Sequence, residues 1–121
     1  MLVTTTSQVS GWEIQRVCGE AVGLTVRNRA AFAQPQYPGY PPDPAMMIRG
    51  LSDARAEAIA RMLEVARAKG ANVVVGLRFD TTDLGEGLSE LCACGTAVVA
   101  IPVDDGARQT ATALGYSQPD D

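Results

Sequence analysis

Between residues 13 and 26 apolar and polar positions alternate at the period of a β-strand. Ile14, Cys18, Val22, Leu24 and Val26 fall on one parity, interrupted by Arg16 and Glu20, while Gly19 and Gly23 fall on the other. Glycine inside a strand marks a bend or the close approach of another backbone. A short strand at Leu2–Thr5 precedes this one, with Ser10-Gly11 as the turn. The pattern then changes period. From Ser52, a good N-cap, to Gly70, a good C′ residue, Ala54, Ala58, Ile59, Met62, Val65 and Ala66 form one face of a helix. Asp53, Glu57, Arg61, Glu64 and Arg67 form the opposite face, and Glu57–Arg61 is a favourably ordered i,i+4 pair. Arg55 alone breaks the apolar arc, so it either snorkels outward or meets a carboxylate across an interface.

Two further strands follow. Asn72–Thr81 places Val73, Val75, Leu77 and Phe79 on one parity and Val74, Gly76, Arg78 and Asp80 on the other. Asp83-Leu84-Gly85-Glu86-Gly87 reads as a turn. Leu88–Ile101 sets Cys92, Cys94, Thr96 and Val98 against Leu91, Ala93, Ala97, Val99 and Ile101, and Pro102 ends it. Residues 34–45 form a proline-rich loop insertion holding five of the seven prolines, with Tyr37 and Tyr40 among them. Residues 104–121 read as a polar, partly disordered tail, leaving residues 1–103 as one domain.

The resulting order, β-β-α-β-β, is an α+β two-layer unit. One helix about 10–12 Å across cannot cover three or four strands spanning roughly 14–19 Å. Yet Val73-Val74-Val75 and Ala97-Val98-Val99-Ala100-Ile101 are apolar on both parities, which calls for burial on both faces. The pattern supplies no second helix. Self-association is therefore expected from the residues alone.

Composition narrows the chemistry. The 121 residues carry 10 Lys+Arg against 14 Asp+Glu, a net charge of −4 with the basic residues scattered. That balance argues against nucleic acid or an anionic membrane surface as partner. No apolar run approaches the roughly 18 residues that span a bilayer, and the start lacks a signal-peptide pattern, so a cytoplasmic protein is expected. The sequence has no histidine, which removes imidazole catalysis in cis and every histidine-based zinc site. Asp80, Asp83, Glu86 and Glu90 gather near a turn, where carboxylates are ordinarily just solvated. Gly85-x-Gly87 opens no helix and is too short for a phosphate-binding loop. No catalytic activity is expected.

The three cysteines are the remaining candidates. Cys92 and Cys94 lie on one face of a strand, about 6.6 Å apart along the backbone, in poor geometry for a disulfide. Cys18 shares a parity with apolar neighbours, and all three read first as small buried hydrophobes. As ligands, three thiols without histidine fall short of a closed four-coordinate site. A ring of identical subunits could repeat them into a sulfur-rich girdle selective for Cu(I), Zn or Cd.

Taken together, several segments resemble the YbjQ-like family, small bacterial proteins labelled as heavy-metal-binding domains. They are Thr4-Thr5 with Gly11, Val17-Cys18-Gly19 with Gly23, Ala54-Arg55 with Ala58, and Ala66-Arg67 with Gly70-Ala71-Asn72. Val74-Val75-Gly76 with Phe79-Asp80, and Gly95-Thr96-Ala97-Val98, complete the match over about residues 3–101, the proline-rich loop excepted. The resemblance implies a subunit similar to the dodecin-like architecture, assembled as a ring, usually a homopentamer. Arg55 falls on the family's Ala-Arg position and is implied to be buried or at an interface; Cys18 falls on its Cys-Gly position. Cys92 and Cys94 depart from the family pattern, as does the proline-rich loop. The expected role is a homo-oligomer that binds a soft metal through Cys18, Cys92 and Cys94, with self as partner. The alternative is a non-catalytic ring scaffold or carrier of a small apolar ligand, with structural cysteines.

Overall fold

The computed structural model describes residues 1–28 and 43–116. Its elements are β1 (Leu2–Val3), β2 (Trp12–Asn28), α1 (Pro44–Ala68), β3 (Val73–Gly85), β4 (Leu88–Pro102) and α2 (Asp105–Ala113). The four strands form one mixed sheet in the order β1-β3-β4-β2, with β1 parallel to β3 and the other pairings antiparallel. The α+β reading therefore holds, with one helix more than the sequence predicted.

The helix α1 begins about two turns before Ser52. Asp43 is its N-cap, accepting from Ala45 N at 3.0 Å, and Pro44 takes the first turn, where a missing N–H is harmless. Grouping Pro44 with the loop prolines hid this start. The predicted end stands. Gly70 has φ +82°, its N–H reaches Arg67 O at 2.9 Å, and Ala71 N reaches Ala66 O at 3.1 Å. These two bonds make a Schellman motif.

The tail is the main correction to the predicted architecture. Residues 105–113 form a capped helix, with Asp104 accepting from Ala107 N at 2.7 Å and Gly115 at φ +81° closing it. Ala107 and Ala111, one turn apart, are its buried face. Just beyond, Tyr116 ties the segment down. Its hydroxyl donates to Asn72 O at 2.6 Å and accepts from Leu2 N at 2.5 Å, and its ring meets Trp12 edge-on. Burial pushes the Tyr116 phenol upward, consistent with a hydroxyl held neutral as a donor.

Two cores lie on opposite faces of the sheet. Under α1, Ala21, Ala93, Ala97 and Val74 pack against Ala58, Met62 and Ala66. The helix approaches so closely that a Cβ on Gly23 would sit 2.1 Å from Ala58 O and 2.4 Å from Met62 N. The small residues of this face are what permit that contact. On the other face Val73, Val75, Val98 and Ala100 pack with Leu2, Val9 and Trp12.

Bulges decide which residues go where. In β2 the register shifts between Ile14 and Arg16 and again between Val17 and Gly19. Cys18 thereby packs against the α1-side core, while Val22, Leu24 and Val26 point to the opposite face. In β3 a shift between Val75 and Arg78, at Gly76 with φ +67°, likewise sends Leu77 and Phe79 to the α1 side and Val73 and Val75 away from it. Each predicted single face is thus split in two. The two faces predicted for β4, which carries the register through unbroken, hold.

Candidate functional site

Among the described residues, no helix covers the distal part of the sheet face opposite α1. Beyond the second core, β2 and β4 pair Val22 with Cys94, Leu24 with Cys92, and Val26 with Glu90, while β3 sets Arg78 beside Cys94 and Asp80 beside Cys92. Residues opposite each other in a ladder share a face. This open face therefore runs Val22–Cys94–Arg78, Leu24–Cys92–Asp80 and Val26–Glu90–Thr82 across three strands. Leu24 is 44% exposed, Val26 53% and Val17 65%. Exposed aliphatic side chains side by side, as Leu24 and Val26 are, mark an interaction surface. The same strands also present backbone edges. The 17-residue β2 is a terminal strand of the sheet, and β3 beyond Leu77 lies past the reach of β1 and the Thr4–Thr6 segment.

The three cysteines do not come together. Cys18 belongs to the α1 side, whereas Cys92 and Cys94 lie on the open face. Cys94 is buried and donates to Arg78 O at 3.7 Å; Cys92 is half-buried. Burial, the neighbouring Cys94, and then Asp80 and Glu90 push the Cys92 thiol up, so it stays protonated at neutral pH. Among the described residues no three His, Cys, Asp or Glu side chains gather closely enough to hold a metal ion. The donor set of one chain thus does not fit a closed soft-metal site. The acidic group near the hairpin is divided too. Asp80 and Glu90 face the open side, Asp83 pairs with Ser89 on the other side, and Glu86 sits in the turn at φ 54°.

A second feature lies on the α1 side, between the first half of the helix and the distal ends of the strands. A cavity of about 390 Å³ is lined there by Ile48, Leu51, Ser52, Ala54 and Arg55 of the helix and by Arg27, Thr81, Ser89 and Leu91 of the sheet. Arg55 is exposed in the single chain rather than buried, and its guanidinium lies 5.1 Å from the centre of the Phe79 ring. Arg27 pairs with Glu57, which also takes Arg61 at 2.6 Å, as the helix pattern predicted. Sequence reasoning missed this cavity because it arises from one helix and three strands whose faces only the bulges define.

Comparison with known proteins places the chain. A family model described as "putative heavy-metal-binding" matches residues 45–101. The UPF0145 protein of Streptomyces coelicolor is 43% identical over 103 residues, covering 82% of this chain and 96% of its own. The chain belongs to the UPF0145 family. A UPF0145 protein of Picrophilus torridus is 33% identical over 120 residues, covering 91% of this chain and 96% of its own. The fold has a solved counterpart in a DUF74-family protein of unknown function from Pediococcus pentosaceus, with a TM-score of 0.50 and 17% identity. That likeness covers 86% of this chain and 98% of that one. The YbjQ-like resemblance and the α+β fold are thereby established. No helix among the described residues is long and apolar enough to cross a membrane.

Proposed function

We propose that this UPF0145 chain is a subunit of a homo-oligomeric binding protein without catalytic activity, whose open sheet face is covered by another copy of itself. The observation that carries this reading is the exposed pair Leu24 and Val26, with half-buried Val22 next to them, beside Cys92 and Cys94. A second copy suits the face better than an unrelated partner. Arg78, Asp80 and Glu90 all lie on it, giving charges of both signs at the margin of an apolar strip. Open edges on β2 and on distal β3 are two different surfaces, and a head-to-tail contact between them closes a ring, a pentamer on the family resemblance.

The soft-metal form of this reading requires the assembly. Each copy brings Cys92 and Cys94 to the shared surface, and the missing ligands come from a neighbour. Zinc, copper(I) or cadmium suits thiolates, and binding must displace the Cys92 proton, so uptake rises steeply with pH. Cys18 takes no part. The alternative is a scaffold or carrier in which the thiols are structural. Native mass spectrometry of reduced, chelator-free protein tests both levels. A multimer gaining integral zinc or cadmium, lost in Cys92→Ser with Cys94→Ser but kept in Cys18→Ser, is the expected result. A bare multimer that takes up neither metal contradicts the metal form, and a monomer contradicts the whole reading.

A further inference from the structure

We propose that the cavity beneath the first half of α1 binds a small amphiphilic monoanion, a carboxylate with an aliphatic or aromatic body. The cavity lies within one chain, so this inference goes beyond self-assembly and does not depend on it. At about 390 Å³ it sits in the size range of small-molecule sites.

Its origin is mechanical. The second half of α1 is clamped backbone-close on Gly23, whereas among the described residues no glycine brings a strand backbone so close to the first half, where Ile48 is 64% and Leu51 51% exposed. These two side chains and Leu91 supply apolar wall on opposite sides of the space. An apolar body lying between them removes that surface from water, and leaving it exposed is costly.

The charge of the lining selects the headgroup. Two arginines and no carboxylate line the cavity. Glu57 engages Arg27 and Arg61 together, whereas among the described residues Arg55 makes no ion pair. Its guanidinium lies 5.1 Å from the centre of the Phe79 ring, and a guanidinium's planar fork matches one carboxylate through two parallel N–H···O bonds. Ser89 adds a hydroxyl donor from the sheet side. Arg55, the lining arginine with no ion pair among the described residues, is where a carboxylate headgroup would seat.

Calorimetric titration of the full-length protein with decanoate, decanol and decyltrimethylammonium tests the assignment. Decanoate is expected to bind more tightly than decanol, and the cation not at all. In Arg55→Gln, decanoate affinity falls about tenfold while decanol is unaffected. Ser52→Phe, on the exposed helix surface at the rim, fills the cavity without touching the core and abolishes binding of both. Circular dichroism confirms that each variant is folded. Equal affinity for decanoate and decanol, decanoate binding that survives both substitutions, or no binding of decanoate to the folded wild type overturns the proposal. The last result leaves another copy of the chain as occupant of the space.

Discussion

The two faces of the sheet obey opposite packing rules. Under α1 the strands present Ala21, Gly23, Ala93 and Gly95, residues so small that the helix backbone nearly touches the sheet. On the reverse face β2 presents Val22, Leu24 and Val26, larger and more hydrophobic, yet Val22 is only half-buried and Leu24 and Val26 are exposed. Hydrophobicity alone therefore does not say which face is inside. Close approach selects small side chains where α1 crosses β2 and β4, and the exposed large ones on the reverse of β2 are those that a partner would cover.

The strongest way to break this contrast is to enlarge the closed face. Gly23→Val drives a side chain into the backbone carbonyl of Ala58, which cannot yield, and is expected to cost about 3 kcal/mol or more in urea denaturation. A cost under 1 kcal/mol would mean that the helix is not seated on this strand. A matched pair of substitutions sharpens the contrast further. Val74→Ala, on the fully buried α1 side, is expected to lose about 2 kcal/mol irrespective of protein concentration. Val26→Ala, on the open face, should weaken the protein only in a concentration-dependent way, because it acts through association. Like behaviour of the two variants would erase the distinction between the faces.

Smaller effects probe the borders. Tyr116→Phe removes a hydroxyl bridging Leu2 and Asn72 and should destabilise by about 1 kcal/mol, with faster hydrogen exchange in α2 and β1. Unchanged exchange there would show that the C-terminal segment is held by other contacts. Finally, the raised Cys92 thiol should react with iodoacetamide only as pH climbs past the ordinary thiol range. Asp80→Asn removes one of the charges responsible and should move that reactivity back toward lower pH. A wild-type midpoint at or below the ordinary value would contradict the crowding assigned to this face.

Much of the architecture was legible in the sequence. The end of α1 was readable from Gly70, and the faces of β4 from strict alternation, because both signals are local. The faces of β2 and β3 were not, since one inserted residue at a bulge reverses every side chain beyond it. Strict alternation groups Cys18 with Val22 and Leu24 for that reason, whereas Cys18 packs on the α1 side. α2 was overlooked although Asp104, Ala107, Ala111 and Gly115 carry a cap, a buried stripe and a stop; the polar composition of the tail outweighed them. Arg55 stands out in the helical pattern, but its neighbour, the Phe79 ring, is a tertiary contact that no helical pattern contains.

Sedimentation equilibrium of the wild type beside Leu24→Asp with Val26→Asp tests the central claim most directly. The account predicts a wild-type multimer and a folded monomer for the double variant, since both carboxylates fall on the open face and neither touches the α1 core. A monomeric wild type, or a variant with the wild-type mass, would contradict it.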